Sequence, residues 1–121
     1  MNEYWRGIVE KTFQMALEDL GVKENYRLEM AQGIPFSGDA TARLKKVRIR
    51  EDLPGIELVR TALHEAYHVL QYQEWDRWRN DRKKMEKAAE DFCQKKCWHY
   101  YRRVKGIEEE DLYSLLEKCF G

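Results

Sequence analysis

The octapeptide L63-H-E-A-Y-H-V-L70 constrains this chain more than any other segment. Two histidines stand four positions apart, a glutamate follows the first, and almost everything around them is apolar. Leu58, Val59, Ala62, Leu63, Ala66, Tyr67, Val69 and Leu70 recur at helical spacing and cover well over half of a helix circumference. Such a helix is mostly buried. His64 and His68 fall in the remaining sector, bordered by Arg60, Thr61, Gln71 and Trp75. Ionisable groups in that setting need partners, because an isolated charge in an apolar environment is strongly disfavoured.

On a helix, positions four apart differ by about 40° and about 6 Å of rise. His64 and His68 therefore point the same way and can reach one cation at about 2.0–2.1 Å from each nitrogen. Glu65 lies about 100° round from His64. It cannot share the ligand face, but it can lean over the ion's open position. A carboxylate there can take a proton from water and pass it to a leaving amine. The HExxH spacing thus reads as two imidazoles holding zinc and one general base, Glu65.

A catalytic zinc usually takes three protein ligands. The HExxHxxGxxH route is closed, because Gln71 stands where the glycine belongs and Glu74 where the third histidine belongs. The remaining route is an acid from the next helix. There Glu86 is expected at the centre of an apolar stripe formed by Ala89, Cys93, Cys97, Tyr100 and Val104, with Glu90 about 40° away at its edge. A carboxylate at the centre of a core-facing stripe calls for a metal or a cation partner. Glu86 is therefore the expected third ligand and Glu90 the second choice. Glu90 is otherwise placed to fix a histidine tautomer by accepting a hydrogen bond. The bland alternative pairs Glu86 with a Lys or Arg and leaves Glu90 solvated. Cys93 and Cys97 read as small core residues. His99, Tyr72, Tyr100 and Tyr101 are equally eligible as oxyanion donors, although His99 reads more simply as a surface or satisfied histidine.

The rest of the chain supplies a frame for this helix. Its 121 residues suggest a single domain spanning 1–121. Residues 3–20 carry Trp5, Ile8, Val9, Phe13, Ala16, Leu17 and Leu20 at helical spacing, and Gly21 is the expected stop. Tyr26, Leu28 and Met30 alternate with charged residues as in a short strand. Turn chemistry fills Q32-G-I-P-F-S-G-D39. Residues 41–50 read as a second strand, solvated or at an edge, with a bulge near Lys45–Lys46 where the apolar parity slips. Asp52 is the expected cap of a helix over 54–78. Further helices are expected over 81–104, stopping at Gly106, and over 108–119, with Leu112, Leu115, Leu116 and Cys119 on one side. The order is helix, small antiparallel sheet, then three helices: an α+β fold.

Charge and composition narrow the function. Lys plus Arg equals Asp plus Glu at 22 each, which argues against a general nucleic-acid binder. No apolar run reaches transmembrane length, and M1-N-E-Y-W-R lacks a secretion pattern. Three cysteines, an odd number, fit free thiols in a reducing cytosol. The expectation is a cytoplasmic protein without nucleic-acid or membrane partners.

H64-E-A-Y-H68 followed by M85-E-K-A-A-E-D-F92 resembles the HExxH plus E-x-x-A-x-x-F pattern of zincin metallopeptidases of the gluzincin type. The resemblance is nearest to the minigluzincins and the ImmA/IrrE-like peptidases found with phage and mobile-element genes. It covers roughly residues 25–95 and departs at Ala88, where the family often has a second Glu. It implies a zincin-like fold with the active-site helix packed on a small sheet. It also implies an edge strand that holds a peptide in extended form, for which residues 42–50 are the candidate. The implied function is zinc-dependent peptide hydrolysis. The implied alternative is a degenerate, non-catalytic binding or regulatory protein. Members of this size can be held inactive by a terminal segment in the cleft, a role that would fall here to residues 107–121.

Overall fold

A computed structural model describes the backbone of residues 2–120 and the side chains of residues 2–107 and Glu117. Its first helix, α1 (Glu3–Asp19), begins where the Asn2 side chain accepts from the Trp5 N–H at 2.9 Å. It ends at Gly21, whose φ of 74° is left-handed. The Val22 N–H returns to the Leu17 carbonyl at 2.9 Å and the Gly21 N–H to Glu18 at 3.0 Å. These two bonds form a Schellman cap, which satisfies carbonyls the helix would otherwise leave bare.

Three strands follow: β1 (Arg27–Ala31), β2 (Gly38–Thr41) and β3 (Lys46–Arg50). The expected antiparallel sheet is in fact mixed. The strand order is β1-β3-β2, with β1 parallel to β3 and β2 antiparallel to it. The correction has a local cause. The strand expected over 41–50 is a hairpin, not one bulged strand. Residues 42–45 reverse the chain, with Lys45 at φ 50° and Leu44 exposed at the tip. The parity slip marked a reversal of direction. Leu28 pairs with Val47, Met30 with Ile49, Gly38 with Ile49 and Ala40 with Val47. These residues share the sheet face that meets the next helix, where Val47 and Ile49 are fully buried. Gly38 is required by that meeting. A Cβ there would lie 2.8 Å from both the Arg48 carbonyl oxygen and Thr61 Cγ2.

That helix, α2 (Gly55–Gln73), is shorter than expected at its C-terminal end. Glu74, at φ −103° and ψ 37°, breaks it, and a single turn, α3 (Trp75–Trp78), follows. Asp52 does not cap α2. Pro54 holds the cap position without a side-chain bond, and Asp52 pairs with Arg50 Nε at 2.6 Å. The last helix, α4 (Arg82–Phe120), runs straight through Gly106. A glycine stops a helix by turning left-handed, and Gly106 does not. One long helix therefore replaces the two expected C-terminal ones. The apolar side expected at Leu112, Leu115, Leu116 and Cys119, and occlusion of the cleft by residues 107–121, concern side chains that, Ile107 and Glu117 apart, lie outside the described residues.

The core is one cluster with α2 at its centre. It packs α1 (Ile8, Val9, Phe13, Ala16, Leu17), the sheet, and the α4 stripe Ala89, Cys93, Cys97, Tyr100 and Val104 against Leu58, Val59, Ala62, Leu63, Ala66 and Val69. Burial of each large aliphatic there stabilises the fold by about 1.5–3 kcal/mol. The histidine helix is thus the most firmly held element of the α+β fold. Among the described residues, no helix is long and apolar enough to cross a membrane.

Candidate metal centre

The polar sector of α2 faces a cleft of about 470 Å³ bounded by β2 (Gly38, Asp39, Ala40), by Tyr72 and Trp75, and by Arg82, Met85 and Glu86 of α4. His68 is buried, and its ring is fixed from behind. Gln71, itself fully buried, donates from Nε2 to the Met85 carbonyl at 2.9 Å, which turns its Oε1 to His68 Nδ1 at 2.7 Å. An amide oxygen only accepts, so Nδ1 carries the proton and Nε2 keeps its lone pair. Burial also lowers the His68 pKa, favouring the neutral ring that ligates metals. His64 is arranged in the same sense. Its Nδ1 lies 3.2 Å from Glu90 Oε2, a carboxylate oxygen that only accepts, leaving Nε2 bare.

The two Nε2 atoms face each other at 3.1 Å. Glu86 completes the group, with Oε1 3.1 Å from His68 Nε2 and Oε2 3.4 Å from His64 Nε2. In these tautomers the two ring nitrogens and the carboxylate converge with no N–H between them, an arrangement relieved by a shared proton or by a metal cation among them. The spacing tests which cation fits. A tetrahedral ion with bonds of about 2.0–2.1 Å needs donor atoms about 3.3–3.4 Å apart. The nitrogens stand 3.1 Å apart, and each meets a different Glu86 oxygen, at 3.1 and 3.4 Å, so the carboxylate faces both at close to that spacing. His64, His68 and Glu86 are placed closely enough to hold a metal ion, and a second group, His64, Glu90 and Cys93, lies on the other side of the His64 ring.

Glu86 reaches the group by a route other than the expected one. Its side chain is 65% exposed. The buried stripe of α4 begins at Met85, so Glu86, one position round, sits at the cleft rim. The burial cost expected to single it out does not operate; its position opposite the histidines does. Glu90 is part-exposed but not left to solvent alone. It stands behind His64 and also accepts from Arg60 Nη1 at 3.1 Å and Gln94 Nε2 at 2.8 Å.

Glu65 is 5% exposed and makes no hydrogen bond or ion pair among the described residues. Burial, reinforced by the nearby charges of Asp39 and Glu86, pushes its carboxyl up to about 8. A group poised there can both take and return a proton near neutrality. It lines the cleft and also a smaller cavity of about 180 Å³ on the Arg60 side.

Of the four candidate oxyanion donors, only Tyr72 lies at the cleft, where its hydroxyl donates to the Ala40 carbonyl at 3.1 Å. Tyr100 donates to Asp19 at 2.6 Å, Tyr101 meets the Tyr4 hydroxyl at 3.0 Å, and His99 is exposed against Tyr100. The edge expected at residues 42–50 is also corrected. β3 is the central strand, and β2, from the segment read as a turn, is the edge beside the site. The Arg50 N–H donates to the Ser37 carbonyl, so by alternation Asp39 and Thr41 face β3 while the N–H and C=O groups of Gly38 and Ala40 point outward. Sequence reasoning missed Gln71 as the group that orients His68. The available signal was its position three residues on, on the histidine side of the same helix. No protein-family model, characterised protein or solved structure matches this chain.

Proposed function

We propose that this chain is a zinc-dependent peptidase in which His64, His68 and Glu86 hold the ion and Glu65 is the general base. One observation carries the reading: donor atoms of His64, His68 and Glu86 lie close enough to hold one ion, beside a buried Glu65 carboxyl that makes no hydrogen bond or ion pair among the described residues. Zinc in that position supplies the Lewis acidity that amide hydrolysis needs. The chain's own residues supply the rest. The outward groups of Gly38 and Ala40 offer an extended peptide a strand to pair with. Because Gly38 packs directly on the Glu65 side chain, the peptide is delivered to the base. Glu65 takes a proton from the attacking water and returns it to the departing amine. The Tyr72 hydroxyl, on the same wall, is within reach of the developing oxyanion once it leaves Ala40. The resemblance to the gluzincins supports the same ligand set.

Elemental analysis of protein purified without chelator tests the reading, together with hydrolysis of a generic unfolded protein. At least one zinc per chain and chelator-sensitive hydrolysis are expected. A metal-free product would overturn the zinc centre. Zinc without hydrolysis would favour the non-catalytic binding protein instead.

A further inference from the structure

We propose a second cation site on the far side of His64, formed by His64 Nδ1, Glu90 and Cys93 and suited to a thiophilic divalent ion. Cys93 Sγ lies 3.6 Å from Glu90 Oε2 and 3.9 Å from His64 Nδ1, and those two atoms are 3.2 Å apart. An ion with a sulfur bond of about 2.3 Å and nitrogen and oxygen bonds of about 2.0–2.1 Å needs separations of about 3.5–3.6 Å to sulfur and about 3.3 Å between the lighter atoms. The three residues meet these values within a few tenths of an ångström. They also line the 180 Å³ cavity, where Ser37 and Thr61 leave room for a solvent ligand in the fourth position.

Core packing accounts for Cys97, which among the described residues bonds the Gln94 carbonyl alone and lines neither this cavity nor the cleft. Cys93 differs because a histidine nitrogen and a carboxylate converge on its sulfur beside open space. Binding releases two protons to solvent, one from Sγ and one from His64 Nδ1. Thiolate, imidazolate and carboxylate then bring three negative charges to a dication. The remaining single negative charge is offset by Arg60, whose Nη1 is 3.1 Å from the other Glu90 oxygen. His64 becomes a bridge between the two sites, and the second ion takes the place of the Nδ1–H hydrogen bond that Glu90 now accepts.

Titration of the metal-free full chain with cadmium, followed by the ultraviolet thiolate-to-cadmium band, tests this. Two equivalents with a thiolate band are expected. C93S should lose one equivalent and the band, with Cys97 and Cys119 as internal controls. Glu86→Gln should lose the other equivalent and keep the band, and His64→Ala should lose both. Since Cys93 is buried, Glu90→Gln is the second variant, at a part-exposed position; it too must lose the band-bearing equivalent. A band that survives C93S or Glu90→Gln overturns the site, as does wild-type saturation at one equivalent without a band. A band with no ion at His64, His68 and Glu86 would defeat the proposed zinc centre and leave this site standing.

Discussion

The two helices that meet at the candidate centre contribute to it on unequal terms. The α2 side is part of the core: His68 is 10% exposed in its side chain, Gln71 is fully buried behind it, and Glu65 is enclosed under β2. The α4 side is offered from the surface, where Glu86 is 65% exposed. Folding alone therefore fixes the histidines and the base, whereas burial does not fix Glu86. Function and stability should be entangled on α2 and separable on α4. The proposed chemistry allows that division to be tested residue by residue.

The largest effect belongs to the base. Glu65→Gln should keep zinc, because it leaves both Nε2 atoms and Glu86 untouched, and should lower hydrolysis by about 10²–10⁴. Zinc content and turnover measured on the same preparation check this. Unchanged turnover would remove Glu65 from the mechanism.

The same buried acid should destabilise the metal-free protein, and the pH window follows from the direction of its shift. Unfolded, Glu65 gives up its proton near 4.5; folded, it holds it to about 8. Between those values the folded state binds more protons, so the contribution of Glu65 to stability is complete below pH 4.5 and is lost as pH rises to about 8. His68 runs the other way, since its lowered pKa favours folding as pH rises to 6.5. Asp39 on β2 and Glu86 on α4 face Glu65 and add to its shift. Comparing chelated wild type with Glu65→Gln isolates the acid. The variant should be near wild type at pH 4.5 and several kcal/mol more stable at pH 8. Parallel melting curves across that range would show that Glu65 is better solvated than its burial implies.

The sequence was most legible where one residue type has one physical meaning. Gly21 ended α1 because a left-handed position favours glycine, and the four-residue spacing put both histidines on one side of α2. It was least legible where phase or direction turned on a single residue. Lys45 adopts a left-handed conformation that its side chain does not advertise, so a hairpin read as a bulged strand and the central strand as an edge. Starting the α4 stripe at Glu86 instead of Met85 moved a surface acid into the core. Gly106 carries no mark that separates a helical glycine from a stop. Gln71 drew notice only as a missing glycine, because its role depends on the Met85 carbonyl of another helix.

Gln71 then offers a smaller test on the core side. Gln71→Ala strips the partner from His68 Nδ1 and leaves the Met85 carbonyl without its donor in a buried setting. A loss of about 1–3 kcal/mol in folding free energy is expected, together with about 10–100-fold weaker zinc binding from the freed tautomer. Denaturant unfolding of the chelated protein and zinc competition with a chromogenic chelator read the two effects. If affinity fell while stability held, the α2 side would be no more tied to the core than the α4 side.

The smallest effect is the most telling for the surface side. Glu86→Gln keeps the shape of an exposed side chain and removes only its charge. In the chelated protein the folding free energy should stay within about 0.5 kcal/mol of wild type, the usual range for surface changes. In zinc-loaded protein the same variant should lose much of the metal-dependent gain in melting temperature, since stabilisation by a bound ion scales with the logarithm of its affinity. The contrast between the two melts is the measurement. A large loss without metal would mean that Glu86 braces the fold through a protonated histidine, and the convergence at its carboxylate would then be an ion pair instead of a metal centre.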